Sequence, residues 1–186
     1  SSLCDRHHML FLDTLTLERR VLPLPAGTEL VVLHSGVPRE LADTAYNARR
    51  AECEAAARAL GVPSLRHVTD PARATGLPAP LDRRARHVIT ENNRVLEAVN
   101  ADAVRFGRLM NDSHASLRDD FEVSIAALDA LVAALQSQPD VLGARLTGAG
   151  FGGACVALVR DGSGDRVRAT TLEAYSRAGY VGYVLV

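Results

Sequence analysis

Lysine is missing from this chain: all 21 basic residues among its 186 are arginines. That absence closes several chemistries together. Arginine stays charged and is a poor proton-transfer group, so Schiff-base and lysine-base mechanisms are excluded. A phosphate loop of the Gly-Lys-Ser/Thr type has no lysine to use, and a protein-kinase core lacks its strand lysine. The arginine bias itself reads as codon preference rather than functional demand. Cysteine is scarce too. Cys4, Cys53 and Cys155 are odd in number and follow no metal-ligand spacing, as expected of buried thiols in a reducing compartment. No apolar run approaches the roughly 20 residues of a membrane span. The 22 acidic residues are interspersed with the arginines for a net charge of −1, which marks neither a nucleic-acid surface nor a membrane surface. The expected setting is the cytoplasm. The six histidines form no metal pattern, so no metal site is expected within this chain. The first residue is serine, and the chain reads as a piece of something longer.

Glycine, by contrast, is concentrated. The stretch Arg145-Leu-Thr-Gly-Ala-Gly-Phe-Gly-Gly-Ala-Cys155 holds Gly148, Gly150, Gly152 and Gly153. Such density costs chain entropy and calls for close backbone approach or positive φ. The spacing Gly148-x-Gly150-x-x-Gly153, with Glu173 about 20 residues on, satisfies a dinucleotide fingerprint. A fingerprint of that kind must open a helix. Here the short apolar run Ala154–Val159 follows, bounded by Asp161-Gly-Ser-Gly164, which reads as a buried strand. The stretch is therefore strand, glycine turn, strand. Either it is a hairpin under a packed neighbour, or its N–H groups line an anion site.

The rest of the chain divides by pattern. Strands are expected at His8–Leu12, Arg19–Leu24 and Glu29–His34, forming a meander whose Leu10, Leu12, Val31 and Leu33 would stand exposed. Helix follows from Glu40 to Leu60, stopped by Gly61 and Pro63. After a Pro/Gly-rich link, Asp82 is expected to cap a helix with Ala85, Val88, Ile89, Leu96 and Val99 on one face. Asp102 caps another, with Phe106, Leu109 and Met110 inward, and Ser124 a third, with Ile125, Leu128, Leu131, Val132 and Leu135. The glycine hairpin, a helix over Arg166–Ala178 and a strand over Tyr180–Val186 complete an α+β fold, helices packed on an antiparallel sheet.

Two places offer polar chemistry. Tyr46, among small and charged neighbours, is either core or a phenol presented to a ligand. Ser113-His-Ala-Ser-Leu-Arg-Asp-Asp-Phe121 is the densest polar cluster. It lacks the Gly-x-Ser-x-Gly context of a nucleophile and is expected to break a helix and tie a loop.

Four ordered segments resemble the galactokinases, members of the GHMP family of small-molecule kinases. They are Tyr46-Asn-Ala-Arg-Arg50 with Cys53-Glu54, Arg86-His-Val-Ile-Thr-Glu-Asn92, Ser113–Phe121, and Leu146-Thr-Gly-Ala-Gly-Phe-Gly-Gly153. The resemblance implies a GHMP-kinase C-terminal domain over residues 39–186, preceded at 1–38 by trailing strands of an N-terminal domain. It implies ATP and Mg²⁺ as cofactors, galactose as acceptor at its anomeric hydroxyl, and the remainder of the N-terminal domain as partner. By motif, Tyr46 would hydrogen-bond a galactose hydroxyl, and Thr147, Gly148, Gly150, Gly152 and Gly153 would form the loop beside the phosphates. The family's Met-Asp-Gln catalytic motif, serine-rich ATP loop and main metal ligand have no match here, and neither Asp5 nor Asp13 sits in the catalytic context. No catalytic residue is therefore assigned, and the chain alone is expected to show negligible turnover. A galactokinase-like sugar and nucleotide sensor is the alternative reading.

Overall fold

The computed structural model describes residues 4–38 and 42–185. Strands β1 (His8–Leu12) and β2 (Arg19–Pro23) pair as an antiparallel hairpin. Strand β3 (Thr28–His34) does not continue this meander. It crosses to a second, four-stranded antiparallel sheet, ordered β4-β5-β3-β6, formed with β4 (Val141–Thr147), β5 (Ala154–Arg160) and β6 (Tyr183–Val184). The physical reason is burial. Val31 and Leu33, expected to stand exposed, are fully buried in the main core, while Leu12 on the hairpin is 42% exposed. The change of sheet thus falls in the turn around Pro25-Ala26-Gly27. The expected division between residues 38 and 39 and the expected helix start at Glu40 involve residues 39–41, outside the described set, as does Val186.

Helix α1 (Ala42–Ala59) ends where glycine and proline signal it. The Gly61 and Val62 N–H groups donate to the carbonyls of Arg58 and Ala57, satisfying two terminal acceptors. The Pro/Gly-rich link contains a 3₁₀ segment, Pro71–Gly76. Helix α2 (Leu81–Ala98) starts after Pro80, with Asp82 in its first turn rather than at the cap. There the carboxylate favours the helix dipole without bonding a free amide. Ala85 and Ile89 are buried as expected, but Leu96 is exposed. Helix α3 (Ala103–Asp119) is capped by Asp102, whose carboxylate accepts from the Arg105 N–H at 2.8 Å. Ser124 does not cap α4 (Ala126–Gln136): Ile125 occupies that position, and the Ser124 hydroxyl donates to Asp129 at 2.6 Å. Helix α5 (Gly164–Arg177) precedes Gly179 and the short β6.

Two cores result. The larger joins Val31, Leu33, Leu146, Ala157 and Val159 of the sheet to Leu128, Leu131 and Leu135 of α4 and to Val167 and Tyr175 of α5. The smaller joins Ala56 and Ala57 of α1 to Ala85 and Ile89 of α2. Helix α3 lies against β4 through Gly107 and Gly143, whose backbones meet without side chains between them.

Candidate functional site

The glycine stretch is the β4–β5 turn, residues 148–153, as the sequence predicts. Gly148, Gly150, Gly152 and Gly153 all have positive φ, and so does Phe151 at 57°. Neighbours on two sides fix the turn. The Phe151 N–H donates to the Val123 carbonyl at 2.8 Å, the Gly153 N–H to the Val37 carbonyl at 2.9 Å, and the Ser35 N–H to the Gly153 carbonyl at 2.8 Å. The N–H groups of Gly148, Ala149, Gly150 and Gly152 have no acceptor among the described residues. Gly150 and Gly152 are buried, and buried amides without acceptors are rare in folded proteins. A row of such donors in left-handed and extended conformations suits an anion. The turn is thus both a hairpin fixed by its neighbours and a row of amides able to take an anion. Thr147 is the last residue of β4, at the turn's edge.

Tyr46 projects from α1 and is 48% exposed, so it is not core. One turn further on the same face, Arg49 lies 3.7 Å from Glu122. The residue after Glu122 is Val123, the acceptor for Phe151 in the glycine turn. From the other side, Val37 and Pro38 contact Gly152 and Gly153 shortly before α1 begins. The helix that carries the phenol and the turn that carries the free amides therefore meet at the same 122–123 corner. Two cavities, of about 340 and 490 Å³, lie elsewhere, one between the hairpin and α2–α3, the other beside α1 and Arg66. Neither is lined by Tyr46 or by the glycine turn.

A residue that sequence reading passed over organises this corner. Arg84, 2% exposed, donates from Nε to Glu52 at 2.6 Å, from Nη2 to Glu122 at 2.6 Å, and from Nη1 to the Asp120 carbonyl at 2.5 Å. Arg83 also bonds Glu122. The Arg84 bond, opposed by partial burial, holds the Glu122 carboxyl below its ordinary range. A signal was present: Arg84 falls within the apolar stripe of Ala85, Val88 and Ile89, and an arginine there requires buried acceptors.

The Ser113–Phe121 cluster does not break its helix, because α3 runs through to Asp119. Its polar groups are used for tertiary contacts. Ser113 donates to Glu91 at 2.5 Å, and Arg145 reaches the same carboxylate oxygen at 3.0 Å. Burial drives the Glu91 carboxyl up, and the Ser113, Arg145 and Arg94 contacts outweigh it, leaving it below its usual range. His114 accepts from the Leu146 N–H at 3.4 Å and faces Asp129 at 3.4 Å. Ser116 donates to Asp120 and receives His87 Nδ1 at 2.9 Å, while the His87 ring stacks on Phe121 at 4.4 Å. Around Ser116 no nucleophilic triad results, since Asp120 contacts the serine rather than the His87 imidazole.

Burial pushes the His87 imidazole down from 6.5 to about 4, with Glu91 opposing. The folded chain thus keeps His87 neutral at pH values where the unfolded chain protonates it. Stability is unaffected above pH 6.5 and falls as pH drops from there towards 4, by on the order of 3 kcal/mol in total. Urea midpoints at pH 7 and pH 4.5 for the native chain and His87→Asn check this. The variant is expected to lose markedly less stability on acidification, and parallel losses would refute the assignment.

The remaining expected residues are also placed. Asp13 is held by Arg66 at 2.6 and 2.9 Å and accepts from its own turn, and Asp5 is bonded to His8, so both carboxylates are committed to local structure. Cys155 is buried and Cys4 and Cys53 are partly buried. Burial raises the Cys155 thiol to about 12 and the Cys53 thiol to about 11, which makes them poor nucleophiles. Among the described residues no cluster of His, Cys, Asp or Glu is arranged to hold a metal, and no helix is long and apolar enough to cross a membrane.

Comparison with known proteins finds relatives over nearly the whole chain. Residues 95–176 match the family described as GHMP kinases C terminal. A galactokinase of Roseiflexus sp. (strain RS-1) is 46% identical over 183 aligned positions, which take in 92% of this chain and 47% of the relative. The structure of Lactococcus lactis galactokinase complexed with galactose superposes with a TM-score of 0.85 at 35% identity, covering 97% of this chain and 50% of that one. L. major mevalonate kinase in complex with R-mevalonate, at 18% identity and a TM-score of 0.55, shares the fold over 47% of its length. This chain spans about half the length of each. Over nearly all its residues the chain is similar to about half of a galactokinase, and its residues 95–176 match the C-terminal model of the GHMP kinases.

Proposed function

We propose that this chain forms one wall of a galactokinase active site, in a protein that transfers the ATP γ-phosphoryl group to the anomeric hydroxyl of galactose. The observation that carries the reading is the set of acceptor-less N–H groups in the 148–153 turn, two of them on buried glycines, at the corner shared with the Tyr46 helix. In this reading the amides of Gly148, Gly150 and Gly152 hold phosphate oxygens, with Thr147 and Gly153 shaping the cradle. Tyr46 offers its phenol to a sugar hydroxyl. These groups bind and orient. Positioning and electrostatic stabilisation carry most of a phosphoryl transfer. The donor set fits ATP phosphates. It does not fit Mg²⁺, because the described residues offer no convergent carboxylates. We assign no metal step and no proton-accepting base to this chain. The wall facing the cradle, expected from the rest of an N-terminal domain, and a cytoplasmic setting belong to the same reading.

A coupled assay with ATP and galactose tests it. A full-length kinase containing this chain is expected to release ADP only when galactose is present, and the 186-residue chain alone to release none. Galactose binding without turnover by the full-length protein would instead support a sensor. In the full-length enzyme, Tyr46→Phe is expected to raise the KM for galactose about tenfold, as for the loss of one neutral hydrogen bond, with kcat changed less than about twofold. An unchanged KM would remove Tyr46 from the site.

A further inference from the structure

We propose that Arg84 is a positioning residue that sets the glycine turn against the Tyr46 helix, a role that rests on the galactokinase reading. Two features of backbone and charge point to it. Among non-glycine residues with positive φ, Glu122 at 55° and Phe151 at 57° are joined through a single step: Val123, next to Glu122, accepts the Phe151 N–H at 2.8 Å. A non-glycine residue in this conformation costs energy and persists only where its surroundings hold it. Glu122 is held by the buried guanidinium of Arg84, with Arg83 and Arg49 on its outer side, and Arg84 also takes the Asp120 carbonyl two residues earlier.

The third arm of the same guanidinium goes to Glu52 on α1, and Glu52 in turn receives Arg49 at 2.7 Å. Arg49 stands one turn from Tyr46. One planar, fully buried fork thus ties three pieces of chain: the phenol-bearing helix, α2, and the corner on which the glycine turn rests. Three acceptors in fixed directions match the rigid donor geometry of arginine. A lysine ammonium cannot span them. Gly150 makes the dependence tight, since its Cα lies so close to Val123 that an added Cβ would fall 2.2 Å from the Val123 carbonyl oxygen. A shift of the corner therefore moves the turn with it.

The chemistry gives this consequence. Misplacing a positioning element by about 1 Å costs on the order of 100-fold in rate, whereas ground-state binding of the sugar need not change. Arg84 touches neither expected substrate, so its effect runs through the turn.

The test uses Glu122→Ala and Arg84→Lys in a full-length kinase containing this chain, with rates normalised to folded, galactose-binding sites. Both variants are expected to lose at least tenfold in kcat while the KM for galactose stays within about threefold. A purely structural Arg84 would lower the melting temperature and the folded fraction and leave kcat per site unchanged, and that result overturns the proposal. Rescue of kcat by Arg84→Lys would also overturn it, because a buried charge alone would then suffice. A second readout is independent of activity. Hydrogen exchange at the Phe151 amide, followed in this chain, is expected to be at least tenfold faster in Glu122→Ala. Unchanged exchange overturns the proposal even if the full-length protein phosphorylates galactose. Faster exchange in a protein without turnover supports the coupling and refutes the galactokinase reading alone.

Discussion

Gly150→Ala is expected to abolish nearly all turnover of the proposed full-length kinase, by about 100-fold or more in kcat, and to cost about 2 kcal/mol of stability. Two effects add. The backbone sits at φ 81°, a region that disfavours a side chain by roughly 1–2 kcal/mol. The new methyl would also meet the Val123 oxygen at 2.2 Å and the Val123 Cβ at 2.8 Å. These atoms belong to the corner itself, so the turn must move and the Phe151 bond must stretch. Steady-state kinetics with a parallel urea titration checks both parts. A variant with native kcat would show that the amide row is not part of the reacting site. A variant with native stability would show that the corner yields more freely than its contacts indicate.

Gly107→Ala is expected to destabilise the chain strongly. In a solvated helix the change would stabilise by about 1 kcal/mol. Here the added Cβ would stand 2.2 Å from the Leu142 carbonyl oxygen, and its counterpart at Gly143 would stand 1.9 Å from the Gly107 oxygen. Neither obstacle is a flexible side-chain tip. Helix α3 must lift from β4, straining the Asn111 bonds to the Ala144 N–H and to Gln136 and the His114 contact with Leu146. Overpacking of this kind costs about 3 kcal/mol, which in a domain of this size lowers the melting temperature by roughly 6–12 °C. Thermal melts of the two single variants and of the double variant measure it. A gain in stability at Gly107 would mean that helix propensity outweighs the contact.

The hairpin strands, the glycine turn and most helix ends were readable because each rests on local chemistry: alternation, caps, glycine and proline. The Gly61 stop and the Asp102 cap are examples. The failures share a different cause. Asp82 and Ser124 have the right residue type for a cap, but one lies inside its helix and the other is drawn to Asp129. The polar Ser113–Phe121 run looks like a helix breaker only while its partners on α2, β4 and α4 are unknown. Strand β3 has the same apolar pattern whichever sheet receives it, and its placement depends on β5, far along the chain. Of the candidate site, the glycine turn and Tyr46 were singled out by motif. Arg84 and Glu122 were not, since nothing short-range shows that an arginine on α2 will reach Glu52 and a turn after α3.

The position of β3 also bears on how this protein is made. Val32 pairs with Val156, and Tyr175 reaches back to the Ser35 carbonyl at 2.9 Å. A ribosome therefore releases β3 well before β5 and β6, and its hydrogen-bonding edges wait until the long stretch between them has been translated. Non-local pairing of this kind slows folding, because long loops must close before contacts reward them. During that interval Leu30-Val-Val-Leu33 is a bare apolar ribbon, the form of segment that seeks other chains. Nascent-chain protection of those four residues is thus as much a condition for the finished fold as the cores that later bury them.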